Sequence, residues 1–150
     1  MYLKNQFLIE ASQDEVWSVF MDAEKLGKCV PGCKEIMMIS PTKYDAVMEV
    51  KIQFMTITFQ ASGELKDAKE KEQITVEMTG KPVALVGLFR NKLIVNLTET
   101  ENGETLVDYE MDLQLTGRLA SLGDILMRGT ITKSANEFAE NVQKLFQHSN

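Results

Sequence analysis

The stretch from Leu119 to Phe146 constrains the fold of this chain more than any other. Apolar residues recur at Leu119, Leu122, Ile125, Leu126, Ile131, Phe138, Val142, Leu145 and Phe146, with three- and four-residue steps dominating. Asp124, Arg128, Lys133, Asn136, Glu137, Glu140, Asn141 and Lys144 stand between them, most on the opposite face, and no proline interrupts the run. The spacing predicts one amphipathic helix, roughly 40 Å long at about 1.5 Å per residue. Gly123 and Gly129 fall inside it and are costly there unless they serve packing. Such a helix does not hold itself together in water, so a broad apolar surface must lie against it.

The upstream chain supplies that surface. Leu3, Phe7 and Ile9 mark a first strand over residues 2–10. Ser12-Gln13-Asp14-Glu15 then matches a capping box, opening a helix that buries Val16, Trp17 and Phe20; a second short helix near Asp22 to Leu26 ends at Gly27. Beyond a Pro-Gly turn the residues alternate with period two. Tyr44, Ala46, Met48 and Val50 share one face; so do Met55, Ile57, Phe59, Ala61, Gly63 and Leu65, and Ile74, Val76 and Met78. Leu93, Val95 and Leu97 follow, then Asn102-Gly103 as a hairpin turn, then Val107, Tyr109, Met111, Leu113 and Leu115. Tyr109, Met111 and Leu113 are expected to face inward onto Leu122 and Leu126, with Asp108, Glu110 and Asp112 exposed. Alternation of this kind predicts an antiparallel sheet with one wet and one buried face. The order is strand, two short helices, about six strands and a long helix. An α+β architecture follows, in which a curved antiparallel sheet of about seven strands wraps around the last helix.

At 150 residues the chain reads as a single domain, 1–150. A net charge of −6 argues against nucleic-acid binding and against electrostatic adhesion to anionic membranes. No apolar run reaches transmembrane length, MYLKNQFLIE is not a signal peptide, and two cysteines fit a reducing compartment, so the expected location is cytoplasmic. Nine methionines are a large share; they fill irregular cores, and they also serve adaptable binding surfaces.

The order of elements resembles the START/Bet v 1-like (SRPBCC) helix-grip superfamily, which includes polyketide cyclases. In particular the chain is similar to CoxG, a family named for a carbon monoxide dehydrogenase component. The likeness is carried by Val16-Trp17, by Cys29-Val30-Pro31-Gly32-Cys33 and by Gly117-Arg118-Leu119-Ala120-Ser121-Leu122-Gly123. The C-x-P-G-C segment is the most specific of these. The resemblance implies a partner of the molybdenum-containing dehydrogenase class, a role in holding that enzyme at the membrane, and handling of quinone. Membrane-attached members carry a linker and an apolar tail after the last helix. This sequence stops at Asn150, so membrane contact is expected to be at most transient.

Catalysis on this architecture would need an acid, base or nucleophile on the inner face. That face reads as aliphatic, Met and Phe, with Tyr44 and Tyr109 as its polar handles; the single histidine, His148, sits close to the end of the sequence. No catalytic residue is therefore assigned. Cys29 and Cys33 are spaced C-x3-C with no second ligand pair, which excludes a closed zinc site and leaves a buried structural pair, a partner contact or a reversible disulfide. No metal and no cofactor are expected. Residues 80–89 break the alternation and read either as a mobile flap, with Val83, Leu85 and Leu88 touching membrane or partner, or as a bulged strand contributing to the core. Cys29, Pro31, Gly32 and Cys33 are grouped with that flap as partner or gate residues.

An apolar site is expected between sheet and helix, bounded by Met48, Met55, Phe59, Ala61, Met78, Val95, Tyr109 and Met111 below and by Leu122 and Leu126 above. Three functions are compatible with this. The first is a non-enzymatic carrier of a quinone, isoprenoid or lipid. The second is a recruitment or assembly factor for the dehydrogenase, with no ligand of its own. A cyclase-type enzyme is disfavoured by the missing acid and base.

Overall fold

Period-two alternation builds one antiparallel sheet of seven strands, and a computed structural model describes it for residues 1–52 and 54–147, with backbone alone at 124 and 125. His148 and the side chains of Asp124 and Ile125 thus lie outside the described residues. The elements run β1 (Tyr2–Ile9), α1 (Gln13–Phe20), α2 (Ala23–Gly27), β2 (Cys33–Ser40), β3 (Lys43–Ile52), β4 (Met55–Lys69), β5 (Gln73–Pro82), β6 (Phe89–Glu99), β7 (Thr105–Leu115) and α3 (Asp124–Gln147). The spatial order is β1-β7-β6-β5-β4-β3-β2, a meander from β2 to β7 with β1 added beside β7. Register shifts in β4 between Leu65 and Asp67, and at two places in β2, insert extra residues that bend the strands.

Local chemistry sets the first helices. The Ser12 hydroxyl accepts the Glu15 N–H at 3.3 Å and donates to the Glu15 carboxylate at 3.1 Å, so this cap is closed through the hydroxyl alone. Asp22 caps α2 by accepting the Lys25 N–H at 3.2 Å. Val16 and Phe20 are buried, and Trp17 packs partly buried against the same core.

The C-terminal segment is two elements rather than one helix. Gly117–Leu122 forms a 3-10 turn, and α3 begins only after Gly123, whose φ of +90° no helix accommodates. Gly117, at φ +62°, lies against Gly87: a Cβ at Gly117 would stand 2.8 Å from the Gly87 Cα. The Arg118 N–H donates to the Val86 carbonyl at 2.8 Å and the Thr116 N–H to the Leu88 carbonyl at 3.0 Å. Residues 83–88 are thus neither a loose flap nor a continuous bulged strand. They are an irregular connection tied to the chain that leads into α3, flanked by Gly80–Pro82 in β5 and Phe89 in β6.

Helix α3 closes the concave side of the sheet and reaches its β1 edge. Arg128 donates to the Tyr2 carbonyl at 3.1 Å and Gln143 to the Leu8 carbonyl at 2.8 Å, satisfying acceptors that an edge strand leaves bare. Buried apolar residues form two clusters. One gathers Ile9, Val16, Phe20, Ile74, Val95, Val107 and Val142; the other gathers Ile52, Ile57, Phe59, Leu119 and Met127.

This division corrects the expected packing of β7. Tyr109 belongs to the first cluster, where Met111, Ala135 and Phe138 also pack, whereas Leu122 and Leu126 pack on the second. On the outer face Asp112 is exposed, but Asp108 is half-buried and accepts the Asn96 amide at 3.0 Å, and half-buried Glu110 pairs with Lys4 at 3.5 Å. Met111→Asp is expected to cost about 3 kcal/mol or more, because it places an unpaired carboxylate on the inner face. Asp112→Asn is expected to cost under about 0.5 kcal/mol. Urea denaturation of the two variants checks this, and the reverse order would mean the β7 register is wrong.

Candidate functional site

Between sheet and α3 lies a cavity of about 450 Å³. Its origin is a deficit of side-chain volume. In register across β3, β4 and β5, Ala46 faces Ala61, which faces Gly80; one row along, Tyr44 faces Gly63, which faces Met78. Ser134 and Ala135 are the small residues on the helix side. Around this band stand Met48, Met78, Met111, Phe89, Phe138 and Tyr109. Gly80 also seats Phe89, since a Cβ there would come within 2.1 Å of its ring, and Phe89 meets Phe59 edge-on at 5.6 Å between centroids.

The C-x-P-G-C segment forms one wall. The Cys33 N–H donates to the Val30 carbonyl at 3.2 Å, with Pro31 next and Gly32 at φ +79°, which is the arrangement of a type II turn. Gly32 lies against β3: its carbonyl accepts the Glu49 N–H at 2.8 Å, and a Cβ would stand 2.0 Å from the Glu49 oxygen. From the other side Asn141 of α3 donates to the Cys29 carbonyl at 3.0 Å. The turn therefore joins β3 to α3 and holds Val30, Pro31 and Cys33 against the cavity.

Of the residues expected to bound the site, Met48, Ala61, Met78, Val95, Tyr109 and Met111 line the cavity. Four do not. Phe59, Leu122 and Leu126 lie in or against the second cluster, and Met55 is exposed at the start of β4. The physical reason is the break at Gly123, which leaves Leu122 outside α3; the helix wall comes instead from Ile131, Ser134, Ala135 and Phe138. Among the gate residues, Pro31 and Cys33 line the cavity while Cys29 and Gly32 stand behind it. Val83 and Leu88 are exposed at the end of the sheet, and Leu85 packs on the second cluster. Phe20, Met21, Ala23 and Leu26 also line the cavity, unanticipated because the capping signals locate α1 and α2 without showing which face meets the sheet.

Among the described residues, none that lines the cavity is Asp, Glu, His, Lys or Arg. Burial pushes the Tyr109 phenol up from its ordinary value, opposed by a hydrogen bond with the Asn5 side chain, so it stays protonated and neutral at neutral pH. Among the described residues no group of three or more His, Cys, Asp or Glu could hold a metal ion. A second hollow, about 640 Å³, is an open depression along the outer face of α3 between Arg128, Lys133, Glu137 and Glu140, and reads as a solvated charged surface.

Cys29 and Cys33 are free thiols, Cys29 buried and Cys33 half-buried, and burial raises both pKa values. A raised pKa leaves less thiolate at any given pH. Ellman's reagent at about pH 8, near the usual thiol pKa, is therefore expected to label the native protein more slowly than free cysteine, Cys33 first, and both thiols at once in denaturant. Cys33→Ser should leave the fold intact, and elemental analysis should find no stoichiometric zinc or iron. Labelling of the native protein at the free-cysteine rate would contradict the burial described.

A curved seven-stranded sheet closed by a long C-terminal helix over a cavity is the START-like helix-grip fold. The profile of CoxG, the family named for a carbon monoxide dehydrogenase component, matches residues 6–146, and the chain belongs to that family. Comparison with curated proteins gives no match. Among solved structures, a conserved protein from Geobacillus kaustophilus superposes with a TM-score of 0.90 at 23% identity, over 99% of this chain and 97% of that one. A START superfamily protein from Mycobacterium smegmatis gives 0.77 at 12% identity, over 99% of each chain. The ZhuI aromatase/cyclase from Streptomyces sp. R1128 gives 0.71 at 12% identity, over 98% of this chain and 93% of that one. At these identities the structural likeness establishes the fold alone.

Proposed function

We propose that this protein is a non-enzymatic carrier of an apolar molecule of the quinone, isoprenoid or lipid class, serving a molybdenum-containing dehydrogenase of the carbon monoxide dehydrogenase type. The observation that carries the reading is the cavity: about 450 Å³, within the range of roughly 300–1,000 Å³ common for small-molecule sites, and without a charged residue among the described residues of its lining. Affinity in such a site tracks the apolar area buried, at about 25 cal/mol per Å² before the costs of binding are subtracted. Methionines at 48, 78 and 111 let the walls reshape around a guest. The same lining offers no acid–base pair for a cyclase. The dehydrogenase enters this reading through the family name alone.

The recruitment reading draws on a different surface. At one end of the sheet Phe54, Val83 and Val86 are exposed, Phe54 completely, and none of them lines the cavity. Apolar tips in this position suit transient contact with a membrane or a protein partner. Among the described residues no helix is long and apolar enough to cross a membrane.

Native mass spectrometry of freshly purified protein separates the two: copurifying lipid or quinone is expected for a carrier, and bare protein for a docking factor. Ala61→Phe places a ring in the band of small residues. It is expected to abolish displacement of a fluorescent lipid by a long isoprenoid quinone while circular dichroism stays unchanged. A variant that binds as well as the parent would defeat the carrier reading.

A further inference from the structure

One buried polar group stands beside the cavity with its capacity unspent. Asn91 sits on the inner face of β6, between the cavity-lining residues Phe89 and Leu93, and is 7% exposed. In register it faces Met78 of β5 on one side and Leu113 of β7 on the other. Its Nδ2 reaches no better acceptor than the Met111 sulfur, 4.0 Å away, and its Oδ1 has no hydrogen-bond partner among the described residues. Thr105, the other buried polar residue, shows the usual solution: its hydroxyl donates to the Ala11 carbonyl at 2.8 Å.

A buried, half-used carboxamide is a standing cost that a leucine of similar volume would remove. Met78, its register partner, and Met111, whose sulfur its amide reaches, both line the cavity, and both are unbranched thioethers that change rotamer easily. The Met111 sulfur is only a weak, distant acceptor for Nδ2, and Oδ1 is left for a donor. We propose that Asn91 is the polar anchor of the cavity and that, within the apolar class, it favours guests bearing a neutral hydroxyl, which donates to Oδ1 as Met78 and Met111 move aside. A carboxylate head is rejected because the described lining residues include no cation to pair with it. The inference rests on the carrier reading and adds the chemistry of the head group to it.

The test compares 1-tetradecanol with n-tetradecane, matched in apolar chain, as displacers of the neutral fluorophore N-phenyl-1-naphthylamine from the parent and from Asn91→Leu. If Asn91 meets the hydroxyl, the variant lowers the alcohol-to-alkane affinity ratio by about tenfold, the equivalent of one hydrogen bond, and leaves alkane binding within about twofold. A ratio unchanged within about twofold overturns the proposal while the carrier reading stands; an amide that serves only the fold gives this result together with a lowered unfolding temperature. Failure of both probes to displace from the parent defeats the carrier reading and this inference with it. Should Asn91→Leu not fold, 15N spectra of the parent decide. The Asn91 side-chain amide is expected to shift with tetradecanol and not with tetradecane, and an amide unmoved by the alcohol overturns the proposal.

Discussion

The contact between the apolar stripe of α3 and the concave face of the sheet is the interaction on which everything else depends. An antiparallel sheet of seven strands with free edges at β1 and β2 cannot close on itself, and a 24-residue helix cannot persist alone. Each removes the other's exposed apolar surface. The match is incomplete in the middle, where Ala46, Ala61 and Gly63 on the sheet and Ser134 and Ala135 on the helix are small, and that mismatch is the cavity. Large side chains complete the packing at both ends, around Val142 and Phe138 at one and Leu119 and Met127 at the other. The hollow is thus framed by two cores, which is why it can exist without collapsing the fold.

The C-x-P-G-C segment acquires a mechanical meaning in this setting. Cys29-Val30-Pro31-Gly32-Cys33 is bonded to β3 through Gly32 and to α3 through the Cys29 carbonyl. A type II turn needs a residue that tolerates positive φ at its third position, and the approach of the Glu49 carbonyl leaves no room for a Cβ there. Proline before it fixes the entry. The sulfur atoms make weak contacts only, 3.6 and 3.8 Å to backbone carbonyls, so the motif is a wall built from backbone bonds more than from thiol chemistry.

Most of the fold is legible in the sequence because the alternation of β3 through β7 is clean and the turn signals are strong. What is not legible has specific causes. Strand β2 hides behind Met37, Met38 and Ile39, three consecutive apolar residues with no period, all of them exposed in the structure. The break before α3 depends on backbone angles at Gly117 and Gly123, and hydrophobic spacing runs straight across it. A helix begun at Leu119 puts Leu122 and Leu126 where Ile131, Ala135 and Phe138 form the upper wall. Asn91 escapes notice because the pattern of β6 turns aliphatic only from Leu93 onward. Composition locates the apolar face; only coordinates reveal that one amide is left over on it.

The position of β1 has a consequence for how the protein comes into being. Its register partners run from Thr105 to Asp112, so β1 leaves the ribosome long before β7, the strand it pairs with, has been made. The carbonyls of Tyr2 and Leu8 wait longer still, for Arg128 and Gln143 of the final helix. Strands β2 to β7 can assemble hairpin by hairpin as they emerge, since each pairs with its predecessor. Throughout that interval the inner face, with its methionines and aromatic rings, is open to whatever surrounds the nascent chain. The hollow is roofed by α3, which is made after all seven strands, and a guest already resting on the sheet at that moment would be enclosed as the helix closes.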